Sequence, residues 1–260
     1  MKVVILAGGY GTRIRDVTED LPKPMIPIGR FPILWHIMKH YAHRGHDEFV
    51  LCLGHKGQVI KNFFLNYEVH TRDFTVSLGN RQNPRFHSDH GELNWQVTLA
   101  DTGLDTMTGG RIKRIQNYVA GEDSFMLTYG DAVSNVNLDK LVEFHRSHGK
   151  ILTITGVRPP GRFGELMSTS AGQVTEFNEK PQVTTGMISG GFFVCRQEIF
   201  RYLDDRPSLV FEKEPMSQMV ADQQAMVYAH DGFWHPMDTS RDYQLLNELW
   251  SQGNPAWKVW

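Results

Sequence analysis

Gly8-Gly9-Tyr10-Gly11-Thr12-Arg13 follows the short apolar run Val3–Ala7, and Lys23 stands a little further on between two prolines. Glycines directly after a buried strand let backbone N–H groups approach a phosphate, and nearby cations can neutralise its charge. Arg13 offers a planar fork of donors and Lys23 a compact point charge. The chemistry that suits this set is the binding of a triphosphate. Asp16, Glu19 and Asp20 lie between the two cations and argue against an indiscriminate anion trap. The plain alternative is that the glycines only make a tight turn from strand to helix.

Two familiar phosphate loops do not fit. Gly9-Tyr10-Gly11-Thr12-Arg13-Ile14 nearly matches GxGxxG, but Ile14 takes the place of the glycine that lets helix and strand pack closely. The next strand-like run, FVLCLGHK, ends without the acid that would hold a ribose, so a nicotinamide oxidoreductase is disfavoured. A Walker A loop fails as well, because Arg13 stands where its second glycine is needed.

Other groups carry weaker signals. Asp131 closes the strand-like run SFMLTYGD and could be a metal ligand or an ordinary strand-end turn residue. His36, His40 and His43 have helical spacing, but no acid or cysteine joins them, so a wet helix face or a subunit contact is expected rather than zinc. Arg111, Lys113 and Arg114 form a short basic run whose simplest reading is a solvated helix face. Trp234 and the tail Trp250, Trp257 and Trp260 are expected to pack internally or against another subunit.

The elements that must position these residues alternate in type. VVILAG, FVLCLG, WQVTLAD, SFMLTYGD and KILTITGV read as strands; PILWHIMKHYAHRG, HKGQVIKNFF, GGRIKRIQNYV and LDKLVEFHRSHG read as helices. The first helix should bury Ile33, Leu34, Ile37, Met38, Tyr41 and Ala42. This order predicts an α/β fold, a Rossmann-like doubly wound mixed sheet, with a small β-rich C-terminal elaboration. The expected organisation is a single domain over 1–260, with a β-hairpin-like insertion over 161–190 and a C-terminal loop and helix over 233–260. ISGGFFVCRQEIFRYL returns to strand and helix, and the last strand-like run is AMVYAHDG.

Composition narrows the partners. The 260 residues carry a formal net charge of −2, which gives no footprint for nucleic acid. No stretch approaches the roughly 20 apolar residues that span a bilayer. Two cysteines, with no CxxC, suit a reduced cytoplasmic setting.

GGYGTR, PKPM at 22–25, YGD at 129–131, EKP at 179–181 and Asp238 together resemble the sugar-1-phosphate nucleotidyltransferases. PILWHIMKHY, MTGGRIKR, PPGRFG, GGFFV, GFWHPMDTSRD and PAWKVW resemble, within them, the glucose-1-phosphate cytidylyltransferase family. The resemblance runs from end to end. It implies transfer of CMP from CTP to a sugar 1-phosphate, with Mg²⁺ as cofactor and pyrophosphate as leaving group, in a homo-oligomer. Arg13 and Lys23 would be the catalytic cations. Leu6, Ala7, Gly8, Gly9, Gly11, Thr12, Arg13 and Gly130 would bind the nucleotide, with Thr106 and Arg111 reading the cytosine ring. Asp131 and Asp238 would hold the metal. Glu179, Lys180, Ser189, Gly190 and Gly191 would take the sugar phosphate, although from the residues alone Gly190-Gly191 is also a bulge or packing contact.

Three positions depart from the family pattern. Ala132, Glu165 and Ser189 stand where YGDGV, FGAL and NGG are usual, and all three fall on the acceptor side. They leave a different phosphorylated acceptor open. A second class, a binding protein that kept the pocket without turnover, would bind CTP and release no pyrophosphate.

Overall fold

Each residue of Val3–Leu6 is buried, as expected of a strand covered on both faces. The computed structural model describes residues 1–11, 20–79, 83–158, 165–168, 173–178 and 186–260. In chain order the elements begin with β1 (Val3–Leu6), a 3₁₀ turn at Lys23–Met25, β2 (Pro27–Ile28), β3 (Phe31–Pro32), α1 (Ile33–Ala42) and β4 (Glu48–Leu53). Next come α2 (Gly57–Leu65), α3 (Tyr67–Thr71), β5 (Phe74–Thr75), β6 (Arg85–Phe86), β7 (Gln96–Asp101), α4 (Thr108–Arg114) and β8 (Ser124–Tyr129). Then follow β9 (Ala132–Ser134), α5 (Leu138–His148), β10 (Leu152–Val157), β11 (Glu165–Ser168), β12 (Val174–Asn178) and β13 (Ile188–Arg196). The chain closes with α6 (Glu214–Ala221), β14 (Ala225–His230), β15 (Trp234–Pro236) and α7 (Ser240–Ser251).

Among the described residues, seven strands form one sheet in the order β14-β10-β13-β8-β1-β4-β7. β1 runs parallel to both β4 and β8, whereas β13 is antiparallel to β8 and β10. The sheet is therefore mixed, and the fold is the expected α/β one. Alternate residues of β1 feed opposite layers. Val3 and Ile5 join a core with α1, α5 and Trp257; Val4 and Leu6 join one with Ile112, Ile115 and Phe211. Beyond the sheet, β11 pairs antiparallel with β12, and β15 with β9. No helix among the described residues is long and apolar enough to cross a membrane.

Two sequence expectations for helices are corrected. The 109–119 helix stops at Arg114 and gives way to a 3₁₀ turn over Gln116–Tyr118, and the segment after β13 is 3₁₀ over Gln197–Tyr202. The wet histidine face is also corrected. His43 is exposed, but His36 is 0% and His40 4% exposed. The C-terminal tail supplies the reason: the His36 ring lies edge-on to Trp250 at 4.7 Å and also meets Trp257 and Trp260. Trp257 is itself buried. The indoles thus pack inside the same chain, on a second side of α1 that local periodicity does not mark.

Burial pushes the His36 pKa down to about 4, against the opposing pull of its bond to the Ile28 carbonyl at 3.0 Å. A histidine buried in the neutral form makes the unfolded state the better proton acceptor. Its contribution is whole above the unfolded pKa of about 6.5 and falls as pH drops toward 4, by at most about 1.4 kcal/mol per pH unit. We expect His36→Gln, which keeps a donor for Ile28 but cannot gain a proton, to flatten the fall in unfolding free energy between pH 6.5 and 4. Denaturant titrations of the two proteins across that range check this; equal slopes would remove His36 from the acid response.

Candidate active site

β1, β4 and β8 are parallel neighbours, so their carboxyl ends share one edge. β1 lies where the chain order reverses, with β4 and β7 on one side and β8 on the other. Such a reversal opens a crevice at that edge. There the structure has a cleft of about 360 Å³ lined by Leu6, Ala7, Gly8, Gly9, Gly11, Lys23, Thr106, Arg111, Gly130, Asp131 and Asp238 among others. The sequence reading named each of these. It missed Pro24, Met107, Thr108 and Tyr129, which complete the lining. Their position inside PKPM, MTGGR and YGD was the available signal.

Lys23 links the cleft's two carboxylates. Its ammonium donates to Asp131 Oδ2 at 2.6 Å and to Asp238 Oδ1 at 2.5 Å. Burial works to lower the Lys23 pKa, but the charge and hydrogen bond of Asp131, and then those of Asp238, raise it overall. Sequence spacing does not bring these aspartates together; a short ladder does. β9 begins just after Asp131 and β15 ends just before Met237 and Asp238; Pro236 pairs with Ala132. The Met237 N–H then donates to the Asp131 carbonyl at 2.8 Å. Behind this ladder, the Asp242 carboxylate accepts from the backbone N–H groups of Asp238 and Thr239, closing the capping box of α7.

Arg111 corrects one expectation. It is 4% exposed, not part of a solvated face, and its terminal nitrogens already serve five acceptors. Nη1 donates to Leu53 O, Thr102 Oγ1 and Gly103 O, each at 2.8 Å. Nη2 donates to Gly8 O at 3.0 Å and Leu104 O at 3.1 Å. These bonds tie the guanidinium to the segments around the cleft, which Arg111 also lines. Gly8 and Gly54 make room for it, since a Cβ on either would come within 2.4–2.5 Å of guanidinium atoms. Thr106, also expected to read the base, accepts from Arg114 Nη1 at 2.8 Å while still lining the cleft.

The acceptor-side residues are distributed differently. Ser189, Gly190 and Gly191 lie on β13, outside the cleft lining. The register of β10 against β13 shifts there, and Gly190 O accepts the Trp234 indole N–H at 2.7 Å. Gly191 has φ +76, and a Cβ on it would strike the Tyr129 ring. A bulge and close packing thus explain both glycines. The Gly191 N–H points to Ser189 Oγ at 3.4 Å. Ala132 is buried on β9. Thr12, Arg13, Glu179 and Lys180 lie outside the described residues, as do the side-chain surroundings of Glu165.

The Nucleotidyl transferase family profile matches residues 2–251. The chain belongs to that family. It is an enzyme of the nucleotidyl transferase class, 45% identical over the full length of both chains to a glucose-1-phosphate cytidylyltransferase of Salmonella typhi. It is 41% identical, again over both full lengths, to a probable glucose-1-phosphate cytidylyltransferase of Bacillus subtilis. A mannose-1-phosphate guanylyltransferase of Arabidopsis thaliana is 28% identical over 94% of this chain and 63% of its own length. Among solved structures, HddC from Yersinia pseudotuberculosis shares the fold with a TM-score of 0.65, covering 96% of this chain and 99% of that one at 23% identity.

Removing Arg111 leaves several buried carbonyls without donors, at about 1–3 kcal/mol for each one that water does not reach. We expect Arg111→Ala to lower the unfolding free energy by about 3 kcal/mol or more and to weaken CTP and UTP alike. Denaturant unfolding and calorimetric binding check the pair of effects. Selective loss of CTP at unchanged stability would instead support the base-reading role.

Proposed function

We propose that the chain is a Mg²⁺-dependent glucose-1-phosphate cytidylyltransferase, joining CMP from CTP to α-D-glucose 1-phosphate and releasing pyrophosphate. The observation that carries this reading is the meeting of Lys23, Asp131 and Asp238 beside the glycine turn, in a chain aligned end to end with cytidylyltransferases. The reaction forms a bond between a sugar-phosphate oxygen and the α-phosphorus of CTP while the bond from that phosphorus to the β-phosphate bridging oxygen breaks. The attacking oxygen is already ionised, so no general base is required. What the protein must do is position two anions and neutralise charge.

The cleft residues divide that work. Gly9 faces open space, where an added Cβ meets nothing within 4 Å, so its backbone can lie along the triphosphate. The nucleotide is held between this turn and the wall from Thr106 to Thr108. Lys23 sits where its ammonium can pass from the aspartates to a phosphate oxygen at the reacting centre.

The donor set suits Mg²⁺. Asp131 and Asp238 offer hard carboxylate oxygens that already share one cation, and among the described residues no cluster of three or more ligating side chains forms a closed cage. Mg²⁺ is commonly held by one or two carboxylates with substrate phosphates and water. When bound it supplies charge neutralisation to the phosphates. Arg13 supports the departing pyrophosphate, and Glu179 and Lys180 hold the sugar phosphate.

Pyrophosphate release tests this function. It should require CTP, glucose 1-phosphate and Mg²⁺ together; turnover only with another phosphorylated acceptor would move the specificity to the Ala132, Glu165 and Ser189 side. Asp131→Asn and Asp238→Asn should each lower turnover about a hundredfold or more at fixed metal, with partial recovery at high Mg²⁺. Near-normal turnover in both would remove the metal assignment.

A further inference from the structure

Glu212 is absent from the cleft lining, yet it bonds to two residues that line it. Thr108, the first residue of α4, donates its hydroxyl to Glu212 Oε2 at 2.7 Å. Tyr129, the last residue of β8, donates its phenol to Glu212 Oε1. Both donors line the cleft, Thr108 on the side of Arg111 and Tyr129 two residues before Asp131. The Tyr129 ring also packs where a Cβ of Gly191 would stand.

The segment carrying Glu212 is docked on α4 by other bonds. Met107 N–H donates to Pro207 O at 2.7 Å, and the N–H groups of Gly109 and Gly110 both donate to Leu209 O. The Phe211 N–H donates to Thr108 Oγ1 at 2.9 Å. Gly109 and Gly110 also have packing reasons to be small, since a Cβ would meet Leu209 on one and the Arg206 carbonyl on the other. Docking therefore does not need the carboxylate. The carboxylate is what reaches across to β8.

We propose that Glu212 is a positioning residue that ties the start of α4 to the carboxyl end of β8 and so fixes the width of the cleft; this rests on the nucleotidyl-transfer reading above. A carboxylate beside a polyphosphate site is electrostatically unfavourable for the substrate, and committing both oxygens to hydroxyl donors tempers that effect.

Charge and tie predict opposite signs. Deleting an anion beside the site would by itself tighten triphosphate binding, whereas cutting the tie weakens it. We expect Glu212→Ala to raise the KM for CTP roughly tenfold, the scale of one charge-assisted hydrogen bond, with a smaller change in kcat. Glu212→Gln keeps an acceptor for Tyr129 and a polar group for Thr108, and should stay within about twofold of the wild type. Tyr129→Phe added to Glu212→Ala should raise KM less than twofold further. A KM unchanged or lowered in Glu212→Ala overturns the proposal, as does equal impairment of the alanine and glutamine variants.

Should the alanine variant not fold, Thr108→Val and Tyr129→Phe take its place: their combined effect on KM must be less than the product of the single effects, and a full product overturns the tie. Calorimetric titration with CTP, UTP, ATP and GTP, without acceptor, reads the same ranking of variants independently of turnover. A wild type that binds one of these nucleotides but releases no pyrophosphate would count against the cytidylyltransferase reading, while the ranking would still decide the tie.

Discussion

The arrangement of the cleft depends on one ammonium held between two carboxylates. Asp131 and Asp238 come from distant parts of the chain and would repel each other if left facing without a cation. Lys23 resolves this, at 2.6 and 2.5 Å, with only 14% of its side chain exposed. Low exposure strengthens the attraction, and the same desolvation would penalise any member left alone. The β9–β15 ladder imposes the approach, and Asp242 holds the backbone of Asp238 from behind. One ammonium against two carboxylates leaves these three groups with an excess of negative charge, which under the proposed function an incoming cation would neutralise.

A second buried charge organises the glycine-turn side of the cleft. Among the described residues Arg111 hydrogen-bonds to no carboxylate; carbonyl dipoles from the turn after β1, the end of β4 and the loop after β7 take its place. Its guanidinium draws three separate segments to one point, and the glycines at 8 and 54 are what allow it to fit. The glycine turn thus does two things at once. Gly8 accommodates the arginine, and Gly9 leaves open backbone on the cleft side.

How much of this could be read beforehand depended on the range of the interaction. β1, its glycine turn and the alternation of strands and helices are local patterns, and they led to the correct sheet. Asp131 and Asp238 were paired only through family resemblance, because a three-residue ladder far along the chain joins them. Within the basic run Arg111 alone was misread, because the pattern suits a solvated face; the acceptors that bury it come from the turn after β1, the end of β4 and the loop after β7. His36 and His40 were misplaced for a similar reason, since the indoles that cover His36 arrive from the last turns of the chain. Glu212 gave no signal at all: its importance lies in two hydroxyls, one on α4 and one on β8, that the sequence does not show to be close.

The measurement that tests the central arrangement most directly is divalent-cation binding without nucleotide, in the wild type and in Lys23→Met, using Mn²⁺ as a paramagnetic probe. If the ammonium and the metal share the two carboxylates, removing the ammonium should tighten Mn²⁺ binding, and Asp238→Asn in the same background should abolish the gain. Binding that is unchanged or weaker in Lys23→Met would contradict a shared cation site.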